Sequence, residues 1–351
     1  MKHEEKHSRL NVLQHTPEDL RWATHELVAQ YRAKRLKCNT IAEIGCGIGF
    51  QTIAFAQECE KVYAIEIDAD KIARAQKNAQ IMGLKNITFI HGDALNPEII
   101  NKVKDAEIIF CDPERLPEEK ERSAQTIKPN LSELQKSYQS ITKKIAMELP
   151  PQIKDIPFAG EKEYLSLNGS INRLTVYTGP LQTCETSAIV LPEEAKLTSL
   201  PKEEKEKAIK TFKTTTLIKK YFYEADPAID KAGLHLELSL ETKTELISQE
   251  MNEENKQEKS KITFFTSDNL IESPFFKNSY LFLGDTGFDE PQMISLLIQK
   301  NAGKVTLRFP IEPQEYWKFR TKIEKQLSGE KKVALFKISG KAVLGEKVES
   351  F

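Results

Sequence analysis

The chain has 351 residues, 39% of them hydrophobic, with 51 Lys and Arg against 52 Asp and Glu. That length is generous for one core and suits two domains. Near-neutral charge gives no global basic signature for nucleic acid, and no apolar run approaches the ~20 residues of a membrane-spanning helix.

Residues 1–9 are charged with no apolar run behind them, so no secretory signal is expected. Thr16-Pro17-Glu18-Asp19 reads as a helix start with Pro in the first turn. Leu20, Ala23, Leu27 and Tyr31 recur at helical spacing, which predicts one helix over residues 16–36. Strand and helix signals then alternate. Strands are predicted at 40–44, 62–67, 87–91 and 108–111, with helices at 51–57 and 69–82. Such alternation implies a parallel sheet covered on both faces. A further strand is predicted at 144–149, and Asn168-Gly169 between two apolar runs marks a hairpin. The charged residues 193–210 read as a linker. Beyond them, strand-like runs at 279–283, 304–309 and 333–338 and a helix at 314–327 make a smaller α+β domain. Residues 241–261 read as a polar helix or disordered insertion. The expected domains are therefore 1–192 and 211–351. The cysteines Cys38, Cys46, Cys59, Cys111 and Cys184 form no CxxC pair and have no His cluster beside them. That pattern predicts no metal site and a reducing compartment, the cytoplasm.

The segment Glu43-Ile44-Gly45-Cys46-Gly47-Ile48-Gly49-Phe50 follows a strand and opens a helix. Glycines there let the backbone turn sharply and approach a ligand with no Cβ in the way. A dinucleotide fingerprint needs G-x-G-x-x-G. Here Phe50 stands where the third glycine would be, and Gly49 comes one residue early. Glu66 ends the second strand, about twenty residues on, where an acid can accept both hydroxyls of a ribose. NAD and S-adenosylmethionine both carry such a ribose, so Glu66 does not choose between them. Asp93, in His91-Gly92-Asp93-Ala94, follows the third strand, and Asp112, in Cys111-Asp112-Pro113, ends the fourth. All four features lie at C-terminal strand ends, where open α/β sheets bind ligands.

Over residues 10–190 these motifs together resemble the class I S-adenosylmethionine methyltransferases. The resemblance implies a Rossmann-like sheet of seven strands. It implies that Glu43, Gly45, Gly47 and Gly49 pack on the methionine part of S-adenosylmethionine, Glu66 on its ribose, and Asp93 with Ala94 at its adenine. The segment from Trp22-Ala23-Thr24 to Leu36 resembles the RNA guanine-N2 and cap methyltransferase branch. Tyr221-Phe222-Tyr223-Glu224-Ala225-Asp226-Pro227, Gly233-Leu234 and Leu335-Phe336-Lys337-Ile338-Ser339-Gly340-Lys341 are similar to a THUMP-like domain, which by analogy implies RNA as the partner. Amine-methylating relatives carry an [Asp/Asn]-Pro-Pro-aromatic tetrad. This chain has Asp112-Pro113-Glu114-Arg115, with the second Pro and the aromatic replaced. Asp112, Pro113 and Arg115 are the catalytic candidates, Asp112 accepting from the nucleophile and Arg115 orienting substrate by stacking or phosphate contact. The expected activity is methylation of an RNA base by a monomer without metal or membrane. Two alternatives stay open: a small-molecule or protein substrate, and an RNA-binding protein with impaired catalysis.

Overall fold

The computed structural model describes residues 6–113, 127–153, 155–248 and 262–348. The chain divides into two compact units between Thr198 and Ser199.

The first unit opens with two helices where the sequence predicts one, α1 (Pro17–Trp22) and α2 (Glu26–Arg35). Thr16 and Asp19 cap α1 by accepting from each other's backbone amide. The helix stops because Ala23 turns extended, at ψ 140°. Lys6 Nζ donates to the carbonyls of Arg21 and Ala23 at 3.1 and 2.8 Å. His25 then restarts the chain by capping α2. Cap chemistry thus interrupts an apolar stripe that runs on.

Next come β1 (Thr40–Ile44), α3 (Phe50–Glu58), β2 (Lys61–Glu66), α4 (Ala69–Ile81), β3 (Ile87–His91), α5 (Pro97–Lys102), β4 (Ile108–Cys111), α6 (Leu131–Tyr138) and β5 (Ile145–Leu149). Four strands follow, β6 (Glu161–Leu167), β7 (Ser170–Tyr177), β8 (Thr186–Leu191) and β9 (Ala195–Thr198). The sheet order is β3-β2-β1-β4-β5-β7-β6-β8-β9. Strands β1 to β5 pair in parallel, whereas β7 is antiparallel to both neighbours. Asn168 and Gly169, at φ 50° and 66°, make the tight β6–β7 turn their dipeptide predicts. Alternate residues of the parallel strands face opposite layers: Ile44, Ile65, Ile109 and Met147 pack on one side, Ile41, Val62, Ile108 and Phe110 on the other.

The fold is the Rossmann-like methyltransferase sheet, with two strands beyond the expected seven. β8 pairs in parallel with β6, and β9 antiparallel with β8. The region 193–210 is therefore structured rather than a linker: it holds β9 and α7 (Lys202–Ile209). Leu197 is buried, and Lys196 reaches the buried Glu161 at 3.3 Å. Charge-rich composition masked both elements, because Lys and Glu three or four residues apart support a helix as readily as they solvate a loop.

The second unit is α+β. Its strands are β10 (Thr214–Thr215), β11 (Tyr221–Ala225), β12 (Glu245–Ile247), β13 (Phe264–Ser267), β14 (Phe276–Gly287), β15 (Ala302–Arg308), β16 (Lys331–Ile338) and β17 (Lys341–Val348). They form one sheet in the order β10-β12-β13-β11-β14-β17-β16-β15. Helices α8 (Pro227–Ala232), α9 (His235–Thr242), α10 (Glu290–Gln299) and α11 (Pro313–Glu324) accompany it. Phe222 stacks on Tyr280 at 5.1 Å between ring centroids and meets Phe336 edge-on at 5.2 Å, anchoring one core. Within the polar stretch 241–261, residues 245–247 form β12 and 249–261 lie outside the described residues.

Candidate functional site

The strand order reverses between β1 and β4, and the crevice at such a switch point is where open sheets hold ligands. The loop leaving β1 is Gly45 to Gly49. A Cβ on Gly45 would stand 2.7 Å from the Asp112 carbonyl oxygen, at φ +79°. Only glycine lets the two strand ends touch this way, and Asp112 N seals the contact by donating to Ile44 O at 3.1 Å. Gly47, at φ +54°, has nothing within 4 Å of where its Cβ would be. Its Cβ side faces open space. Gly49 opens α3 with its back against Ala75 of α4.

Glu66 ends β2 with its carboxylate fixed by backbone donors. Oε2 accepts from Gly47 N at 2.8 Å, and Oε1 from Ile67 N and Asp68 N at 2.9 and 3.0 Å. Oε2 keeps a lone pair for a hydroxyl donor. Pairing of Glu66 with His91, and donation from Gly92 N to Glu66 O at 2.9 Å, bring the Asp93 loop alongside. Asp93 is exposed, and its Oδ1 accepts from Leu95 N at 2.9 Å. The Ala94 side chain points instead into the core, and its carbonyl accepts from Tyr138 Oη at 2.8 Å. Glu43 lies beneath the loop, fully buried, accepting from Thr52 Oγ1 at 2.6 Å. Burial pushes its carboxyl up to about 8, against the pull of the Thr52 bond and with the help of the nearby Asp112 charge. Asp112 is half-buried and Pro113 buried at the end of β4, whereas Arg115 lies outside the described residues.

The structure adds residues the sequence reading missed. Cys111 pairs with Met147, so Glu148 stands beside Asp112 at the strand ends. The Glu148 carboxylate is clasped by the buried Arg32 and by Arg173. Arg32 also donates to Gln51 Oε1 at 2.7 Å and lies 4.7 Å above the Phe110 ring. A lone acid in the apolar run Ile145-Ala146-Met147-Glu148-Leu149 is the signal that could have revealed it. Around the loop, Leu13 and Leu20 pack with Ile48 and Phe50, and Asp19 pairs with Arg74 of α4 at 3.0 Å. Lys6 is pushed down to about 8 by burial and by the Arg173 charge, with Glu148 opposing.

The open side of Gly47 leaves room for a ligand, and the amide-held Glu66 keeps an acceptor of the kind a ribose hydroxyl needs. Fold and site define a class I S-adenosylmethionine-dependent methyltransferase domain. A family model described as RNA cap guanine-N2 methyltransferase matches residues 38–224. That is more than half the chain, and the chain belongs to this family. Similar proteins include an uncharacterised RNA methyltransferase of Oceanobacillus iheyensis, 35% identical over 81 residues, 22% of this chain and 18% of that protein. An uncharacterised S-adenosylmethionine-dependent methyltransferase of Mycobacterium tuberculosis is 23% identical over 172 residues, 47% of this chain and 46% of its own length. The matches thus span less than a fifth of the first relative and about half of the second. A candidate methyltransferase from Porphyromonas gingivalis W83 shares the fold across 95% of this chain and 83% of its own, at TM-score 0.74 and 20% identity. No helix among the described residues is long and apolar enough to cross a membrane.

Proposed function

We propose that the chain transfers the methyl group of S-adenosylmethionine to a base of RNA. The family match over residues 38–224 is what supports RNA as the acceptor, and the backbone contact between Gly45 and Asp112 brings the glycine loop and the candidate acceptor-side acid to one switch point. When bound, the cofactor supplies an activated sulfonium methyl, so the protein's main task is alignment. In this reading Gly47 leaves room for the amino-acid moiety, Glu66 accepts from the ribose, and Asp93 faces the adenine. Glu43 acts from below, holding Thr52 at the start of α3. Asp112 accepts hydrogen from the nucleophilic nitrogen and so frees its lone pair. Pro113 stiffens the turn that aims Asp112. Arg115 orients the acceptor, standing where amine-methylating relatives carry an aromatic. The second unit, THUMP-like by resemblance, grips the RNA, and the protein works as a cytoplasmic monomer.

The test incubates the enzyme with methyl-labelled S-adenosylmethionine and total RNA from a strain lacking the gene, followed by nucleoside mass spectrometry. One methylated nucleoside is expected to gain label. Asp112→Ala is expected to lower that incorporation at least 100-fold, within the range general base groups contribute, while S-adenosylhomocysteine binds as before. Label that enters protein or a small molecule instead, or an Asp112→Ala variant with full turnover, overturns the reading.

A further inference from the structure

Asn78 sits in the last turn of α4 and is fully buried. An Asn amide competes for backbone partners and so disfavours helix interiors; here it bonds two backbone segments outside its own helix. Its Oδ1 accepts from Gln14 N at 2.6 Å. Its Nδ2 donates to Gln14 O at 3.0 Å and to Ile48 O at 2.9 Å. The oxygen faces a donor and both amide hydrogens face carbonyls, so the network itself fixes which way the side chain points. Ile48 lies between Gly47 and Gly49 in the glycine loop. The peptide leaving it is held at both ends, since Gly49 N donates to Cys46 O at 2.9 Å while Asn78 takes the Ile48 carbonyl. The flanking glycines, at φ 54° and 87°, have no side chain to resist rotation of that peptide. Ala75, on the same face of α4 as Asn78, backs Gly49, so α4 braces the loop at two points. Gln14 belongs to the segment before α1, where Leu10 and Leu13 pack with Ile48 and Phe50. One side-chain amide thus joins that segment to the loop.

We propose that Asn78 is the positioning residue of the glycine loop and that it couples residues 10–16 to cofactor binding. The inference rests on the reading of that loop as the seat of S-adenosylmethionine, and it holds for any methyl acceptor. With the Ile48 carbonyl held, the loop keeps the shape that presents Gly47 N to Glu66 and leaves the Cβ side of Gly47 clear. A ligand that stiffens this loop also stiffens Gln14 through the same amide. The coupling is reciprocal: whatever frees Gln14 and Ile48 from Asn78 weakens the ligand.

The first measurement uses the unaltered protein with S-adenosylhomocysteine as the probe. Hydrogen exchange, read by mass spectrometry in the peptide spanning residues 10–16, is expected to slow roughly ten-fold when the probe binds. The second compares Asn78→Asp with Leu36→Ala. The Asp variant keeps the shape and the bond from Gln14 N but leaves the carbonyls of Gln14 and Ile48 without their donor. Leu36→Ala empties buried volume in a different core and is the control for lost stability alone. Asn78→Asp is expected to bind S-adenosylhomocysteine roughly ten- to hundred-fold more weakly. Its KM for S-adenosylmethionine should rise while kcat at saturating cofactor stays near wild type. Leu36→Ala should lower Tm and keep the affinity. If Asn78→Asp loses Tm and keeps the affinity, Asn78 is structural only and the proposal falls. If exchange at residues 10–16 of the wild type ignores the bound probe, the coupling falls whatever the variants do. A wild type that binds no S-adenosylhomocysteine overturns the proposal and the cofactor reading together. A wild type that binds it and protects residues 10–16, yet labels no RNA, supports the coupling and overturns the RNA reading alone.

Discussion

Gly45 and Gly47, two residues apart, meet different surroundings, and their alanine variants separate them. Both hold positive φ, which costs a Cβ-bearing residue about 1–2 kcal/mol. At Gly45 the new methyl also strikes the Asp112 carbonyl, 2.7 Å away, so the β4 end must move. At Gly47 it meets only open space. Gly45→Ala is therefore expected to lose the more stability. Gly47→Ala should keep a Tm nearer wild type yet bind S-adenosylhomocysteine at least ten-fold more weakly, as its methyl occupies the ligand's room. Thermal melting and calorimetric titration read the two effects apart. Equal losses in both assays for the two variants would remove Gly47 from the proposed pocket. The glycine spacing was plain in the sequence, because backbone freedom is a local property. Which glycine meets protein and which faces open space was not, since that depends on residue 112.

At the scale of elements, short-period patterns were legible and long-range closures were not. The parallel strands announced themselves as apolar runs because both faces of the sheet are covered. The break between α1 and α2 was not legible because Lys6, which grips the carbonyls of Arg21 and Ala23 there, lies eleven residues before Pro17. Glu148 escaped for the same reason: its partners, Arg32 and Arg173, come from α2 and β7. That cluster ties α2 to the strand end beside Asp112. Replacing Arg32 with Met would keep volume while leaving Glu148 with Arg173 alone in a buried setting. Breaking a buried pair from one side costs about 3–5 kcal/mol. Chemical denaturation of Arg32→Met should show a loss of that order, and a loss under about 1 kcal/mol, the worth of a surface pair, would show that the cluster is not a structural tie.

For the whole molecule, the boundary between Thr198 and Ser199 gives the first unit all nine strands of its sheet and its own cores. A fragment of residues 1–198 is expected to fold cooperatively and bind S-adenosylhomocysteine. A fragment of residues 1–192, cut where composition alone puts the border, lacks β9 and bares the edge of β8. Unpaired edges invite association, so the shorter fragment should melt at lower temperature and aggregate, as light scattering during heating would show. Equal melting of both would make β9 dispensable. The tie between α2 and its distant acids also sets a timetable for synthesis. Arg32 and Arg35 leave the ribosome 116 and 128 residues ahead of Glu148 and Glu163. At roughly 5–20 residues per second, the helix waits on the order of 6–25 s, guanidiniums in water, before its counterparts emerge. A nascent chain paused late in that interval holds the glycine loop and Glu66 but not the strands that fasten α2, so these ties close only in the late stages of translation.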